Sequence, residues 1–327
     1  MVDRGLLYRE WKQNQVVILL SIAFLVLANP LSIVNTYLSY QGCLAHQDPQ
    51  YCEFIVNYTS NLIDINWVPG VILAVCLLGM ERSKGTMDFI LSLPYNKSQI
   101  FQTKFWLGGF VIVVSQLIGF LFAWLLILVY NPEHVYFFEH SSVGVIVISF
   151  MAYSLVMAAG ALTGNAFAQL LTALSAGVLP YLILALPLTN LEIVFDFHIY
   201  EIFSSLESYY ELENNLMYLF PLVYVSNDWL TNSKYILFIP AAMSILFYLI
   251  GYISFKKHPS ERNGYFFLWK RLDRPVQILV IIFGILGFGL FGYSAGHSII
   301  GYIFGMIIGA VVGFFVSYFS IFKKTKV

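Results

Sequence analysis

Long apolar runs alternate with short polar intervals along most of this chain. The runs cover residues 16–36, 66–80, 105–130, 142–163, 168–189, 235–255, 276–293 and 298–321. Each is long enough, or nearly so, to cross ~30 Å of hydrocarbon as a helix. The second is short, and Ile63, Ile65 and Trp67 extend it at its outer interface. The pattern predicts an all-α, polytopic membrane protein with about eight transmembrane helices. An even number of crossings puts both termini on one side.

Between the second and third runs lies ERSKGTMDFILSLPYNKSQIFQTK, residues 81–104. Within it Met87, Ile90, Leu91 and Pro94 follow the i, i+3, i+4, i+7 spacing of one helical face. This predicts a short helix that starts near Thr86, whose hydroxyl caps free backbone amides, and ends before Pro94. Gly85 lets the chain turn sharply into it. A short amphipathic helix at the mouth of two spans cannot bury its apolar face alone. It either docks a soluble partner or lies on lipid. At the N-terminus, Leu6, Leu7 and Trp11 form a narrow apolar stripe with Arg9 and Lys12 elsewhere, predicting an interfacial helix that feeds the first span. Asp3, Glu10 and the length of the following run argue against a cleaved signal peptide.

Composition narrows the class. Of 327 residues, 59% are hydrophobic and only 11% charged, with a mean hydropathy of +0.77, which excludes an ordinary soluble domain. The net charge of −1 conceals an asymmetry along the chain. With a cytoplasmic N-terminus, every basic residue except Lys234 falls in a cytoplasmic segment: Arg4, Arg9 and Lys12; Arg82, Lys84, Lys97 and Lys104; Lys256, Lys257, Arg262, Lys270, Arg271 and Arg274; Lys323, Lys324 and Lys326. This is the positive-inside rule, and one missed or extra span would destroy it. The reading is a multi-pass protein of a cell membrane, both termini cytoplasmic, with membrane lipids as neighbours and no nucleic-acid partner. Loop 256–275, basic and aromatic, either attracts anionic headgroups or only fixes topology.

The outer loops carry other candidates. Loop 37–65 holds Cys43 and Cys52, either a disulfide or two free thiols, and Asn57-Tyr58-Thr59, a weak glycosylation pattern. Loop 190–233 is acidic and rich in aromatics, which predicts amphipathic helices at the outer leaflet. Its carboxylates match no metal loop. Pro180 and Pro187 make the fifth span either a moving element or a statically kinked one. In the last span Gly301, Gly305, Gly309 and Gly313 recur every four residues and predict close helix packing within the chain, against Gly284, Gly287, Gly289 and Gly292.

Absences exclude several functions. No Asp, Glu, Lys or Arg lies inside a predicted span, which argues against proton- and ion-coupled carriers. No H-E-x-x-H or comparable set supports an intramembrane hydrolase. Without a G-x-x-x-x-G-K-[ST] loop the chain is not expected to hydrolyse ATP itself. It is expected to be a non-enzymatic subunit without a cofactor of its own, with ATP on a partner chain.

The order of an N-terminal interfacial helix, a span, an external loop, a second span, Glu81-Arg82-Ser83-Lys84-Gly85-Thr86 and then Leu91-Ser92-Leu93-Pro94, Lys97, Ile100 and Lys104 resembles the permease subunits of ABC-2 type transporters, most closely the bacterial Ytr-type permeases. The resemblance covers residues 1–255 as a permease core. Residues 256–327, a cytoplasmic loop and two glycine-rich helices, depart from it. It implies two permease chains, identical or related, with two ATPase subunits that meet loop 81–104, and a direction of export. On this resemblance Glu81 anchors the loop by an ion pair with a basic group of this loop or of the partner, and Arg82 belongs to the same coupling set. Gly85 and Thr86 permit the turn, and Met87, Ile90, Leu91 and Pro94 form the part that enters a groove on the ATPase. Two other readings remain: a mechanotransmission subunit acting on cell-envelope enzymes, and an ATP-independent scaffold or carrier.

Overall fold

The computed structural model describes residues 4–46, 51–57, 65–195, 218–225, 237–257, 262 and 264–321. A short helix α1 (Arg4–Gln13) precedes the long α2 (Gln15–His46). A helical run follows from α3 (Val68–Ala74) through a π-helical stretch (Val75–Met80) into α4 (Glu81–Ser83). Then come α5 (Thr86–Ser92), α6 (Lys97–Tyr130), α7 (Phe138–Leu162), α8 (Ala166–Phe195), α9 (Phe238–Lys257), α10 (Lys270–Gly296) and α11 (Ile299–Ile321).

Among the described residues seven helices, α2 and α6 to α11, are long and apolar enough to cross a membrane. The second expected span, 66–80, corresponds to the shorter run of α3 and the π-helical stretch, Val68–Met80. It can be short because it lies inside the bundle: Leu73, Ala74, Leu77 and Leu78 are fully buried. Helix α7 is the hub, buried along most of its length and packed on α9, α3 and α8, while α2 packs along α6. The outward faces of the long helices are apolar, as a lipid-facing surface requires.

Both ends of the bundle are tied. At one end strands β1 (Ile55–Asn57) and β2 (His134–Tyr136) pair in parallel, Ile55 opposite His134. Beside them Cys43 and Cys52 form a disulfide, and Tyr37 stacks on Tyr130 with ring centroids 4.3 Å apart. At the other end Thr163 bridges Phe267 and the Gly164 amide donates to the Phe266 carbonyl, 3.1 Å. Segments that charge assigns to one side of the membrane therefore meet each other.

Helix α8 runs unbroken through Pro180 and Pro187 and extends to Phe195, so the expected outer loop begins later than residue 190. Most of that loop, 196–217 and 226–236, lies outside the described residues. Of its aromatics, Phe220 and Tyr224 are buried against the bundle rather than laid at a leaflet surface.

The last two helices form a hairpin. Gly301, Gly305, Gly309 and Gly313 face α10 of the same chain, where an added methyl would meet Gly292, Phe288, Gly284 and Ile281 respectively. Asn190 of α8 accepts a bond from the Tyr302 hydroxyl (2.8 Å) and donates to the Leu286 carbonyl, so one side chain touches both arms. At the hairpin's other end Ala168, Phe266, Phe267 and Ile321 share an apolar cluster.

Candidate functional site

The segment 81–94 takes its shape from one glycine. Gly85 has φ 70°, a left-handed conformation that glycine adopts without penalty, and it separates α4 from α5. Thr86 does not cap the helix as its position suggests. Its hydroxyl donates instead to the Glu81 carbonyl, 3.1 Å, and stitches the turn shut. Helix α5 ends at Leu93, which is extended as the residue before Pro94 must be.

The apolar face of α5 points the other way from the sequence expectation. Met87 and Ile90 are fully buried and Leu91 half-buried, in the same cluster as Leu6 of α1 and Ile100 and Phe101 of α6. They pack within this chain rather than facing out toward another protein. Periodicity identifies an apolar face, but not whose core it joins. The open face carries Lys84, Asp88, Ser92, Pro94 and Phe89, the last 63% exposed.

Behind this segment lies a set of buried charges. Lys104 of α6 donates to Glu10 Oε2 of α1 at 2.5 Å and to Glu81 Oε1 of α4 at 2.7 Å, and neither acid nor the ammonium is more than 2% exposed. Among the described residues Glu10 Oε1 and Glu81 Oε2 have no hydrogen-bond partner. Glu81 sits one residue past the second predicted span. Burial, outweighing the pull of Lys104, pushes its carboxyl up to about 7. Arg82 turns away, donating to the Gly160 carbonyl (2.5 Å) and to that of Thr163, with its guanidinium 5.6 Å from the Phe255 ring centre. A cation on the last carbonyls of a helix is favourable in the helix field. Tyr153 of α7 donates to the carbonyls of Lys104 and Phe105, and Gln169 of α8 to those of Ala74 and Val156.

The sequence placed Lys104 in loop 81–104 but showed no sign that it is buried between Glu10 and Glu81. Helices α6 and α10 begin upstream of the predicted spans, at Lys97 and Lys270, which places Lys104 and Asp273 within long apolar helices. The available signal was that Glu10 stands four residues from Leu6, on the inward face of α1.

A second polar set was also missed. Asn66 donates to Asn29 Oδ1, Gln116 to Ser149, and Ser149 to the Asn66 carbonyl, all inside the apolar body. An apolar groove of about 450 Å³ lies between α6, α7 and α9, lined by Trp106, Phe110, Phe150 and Ile245 among others. No cluster of three metal-ligating side chains occurs among the described residues.

The geometry is that of a multi-pass protein with a rigidly mounted segment at its basic end. No family model matches the chain. Two proteins of Bacillus subtilis (strain 168) do, each over its whole length and the whole of this chain. One is named Probable ABC transporter permease YtrC, 84% identical over 328 residues. The other is named Probable ABC transporter permease YtrD, 52% identical over 330 residues. Identity at these levels, from end to end, establishes kinship: the chain belongs to the ABC transporter permeases, multi-pass proteins of the bacterial cell membrane.

Proposed function

We propose that the chain is the membrane-spanning subunit of an ATP-driven exporter of the ABC-2 type, working as one of two permease chains with two ATPase subunits. Residues 1–255 form the permease core, and 256–327 add a loop and a helical hairpin. ATP is bound and hydrolysed on the partner chains, and this chain converts their movement into rearrangement of its helices.

The observation that carries the reading is the mounting of residues 81–94. Its inner face is fixed to α1, α6 and α7 through buried charges and apolar contacts, while Phe89, Asp88 and Lys84 face outward. A projecting element bolted to three helices transmits a push; a loosely attached one absorbs it. Phe89, with Arg9 5.6 Å from its ring centre, supplies the aromatic anchor typical of interface centres. The Met87–Ile90–Leu91 stripe holds the lever to the permease.

Purification of the tagged chain in mild detergent from its native cell tests the proposal. Recovery of a stoichiometric ATPase subunit, lost on Phe89→Asp, supports it. Recovery with cell-envelope enzymes and no ATPase would favour mechanotransmission by another assembly, and recovery alone would favour a scaffold or carrier.

A further inference from the structure

We infer that Lys104, Glu10 and Glu81 form a positioning triad for the coupling segment, and that its two carboxyls hold a single exchangeable proton between them. The inference rests on the coupling role proposed for residues 81–94.

The stoichiometry of charge leads there. One ammonium lies within 2.7 Å of two carboxyl oxygens from two different elements, and all three groups are out of contact with water. A buried ammonium neutralises one carboxylate and leaves the second uncompensated, which a low-dielectric site does not tolerate. The remaining oxygen of each acid has no hydrogen-bond partner among the described residues.

The guanidiniums of Arg9 and Arg82 attract Glu81 through space, but burial outweighs the attraction on Glu81 and its carboxyl stays raised. Arg9, next to Glu10 on α1, is set over the Phe89 ring. Arg82, next to Glu81, spends its Nη1 on the carbonyls of Gly160 and Thr163 and donates to neither acid among the described residues. Asp88 on α5 and Lys84 before it are exposed. Among the described residues no other buried charge belongs to α1, α4, α5 or α6. A proton on one carboxyl, shared across Lys104, makes the triad neutral and keeps both acids on the ammonium as hydrogen-bonding groups. Loss of that proton to solvent leaves a net negative triad and loosens α4 from α1.

The sign follows from the raised Glu81 carboxyl. The fold holds a proton that the unfolded chain, with a carboxyl near 4.5, does not hold. Stability therefore falls as pH rises from the unfolded value toward about 7, and is level above it.

The test uses the full chain assembled with its ATPase subunit in lipid nanodiscs. The unfolding midpoint and the ATPase rate are followed between about pH 5.5 and pH 8, a range that brackets the raised carboxyl. The wild type should lose thermal stability as pH rises, and its ATPase stimulation should change over the same interval. Glu81→Gln and Glu10→Gln, each leaving one acid for one ammonium, should flatten both profiles while keeping the ATPase bound. Wild-type pH slopes in both variants overturn the triad. An assembly with no ATPase activity at any pH overturns the coupling reading instead, and the unfolding midpoints then judge the shared proton alone.

Discussion

Arg82 reaches across 78 positions of sequence to place its Nη1 2.5 Å from the Gly160 carbonyl, near the end of α7. The same nitrogen donates to Thr163, and the guanidinium lies over Phe255 of α9. One side chain thus ties the segment before α5 to two long helices. Replacing it with methionine removes both hydrogen bonds and strands their carbonyls, an expected loss of about 3 kcal/mol. Lysine restores charge but not the planar fork, so Arg82→Lys should recover only part of this. Thermal unfolding of both variants in one detergent gives the comparison.

On the proposed function, the inward and outward faces of α5 separate folding from docking. Phe89→Asp should weaken ATPase association by roughly 30-fold, the equivalent of about 2 kcal/mol for an interface anchor, and leave the unfolding midpoint unchanged. Met87→Ala should do the reverse, with about 2–5 kcal/mol of stability lost to a core cavity and the outward docking face intact. Binding measured at a temperature where both variants are folded decides it. Equal binding by Phe89→Asp and wild type would show that the partner sits elsewhere.

Lys104→Met should be the most damaging change among the buried charges. It leaves two carboxyls facing each other without their cation, at an expected cost of about 3–5 kcal/mol. Each single change of Glu10 or Glu81 to Gln keeps a donor-acceptor arrangement around the ammonium and should cost far less. A Lys104→Met midpoint within error of either Gln variant contradicts this order.

The hairpin of α10 and α11 gives a prediction with an internal control. An added methyl at Gly309 would meet the backbone of Gly284 and the Cβ of Phe288, while one at Gly287 meets nothing within 4 Å. Gly309→Ala should therefore destabilise by about 1–3 kcal/mol through overpacking, and Gly287→Ala should be neutral or slightly stabilising. Thermal unfolding of the two variants side by side measures the difference.

At the opposite end the Cys43–Cys52 bond closes a loop with a sequence separation of 9. Loop-closure entropy assigns about 2–3 kcal/mol to a ring of that size. Reductant should lower the unfolding midpoint of the wild type and not that of Cys43→Ser. Cys76→Ser, which removes the free thiol, should leave the response to reductant intact.

The helical architecture was legible because a membrane forces long apolar runs and segregates basic residues, and both survive in a single sequence. The boundaries of α5 were legible for a local reason: Gly85 and Pro94 constrain the backbone wherever they stand. The direction of its apolar face was not, because Met87 and Ile90 read alike whether their partner is Phe101 of the same chain or a groove on another. The buried charges were hidden by a different effect. Lys104 looks like the last cytoplasmic residue before a span, and only the approach of Glu10, 94 positions away, turns it into an interior group. The short run 66–80 needed Ile63, Ile65 and Trp67 to lengthen it on sequence alone, since sequence shows its apolarity but not that other helices enclose it.

The hairpin's two attachments, Asn190 with Tyr302 and Leu286 near one end and Ala168 with Phe266, Phe267 and Ile321 near the other, both engage α8. Helix α8 is thereby the keel of a three-helix raft. Any tilt or slide of α8 carries α10 and α11 with it, and the lipid displaced is that of three helices. The thickness and lateral pressure of the surrounding bilayer then act on α8 through the whole width of the raft.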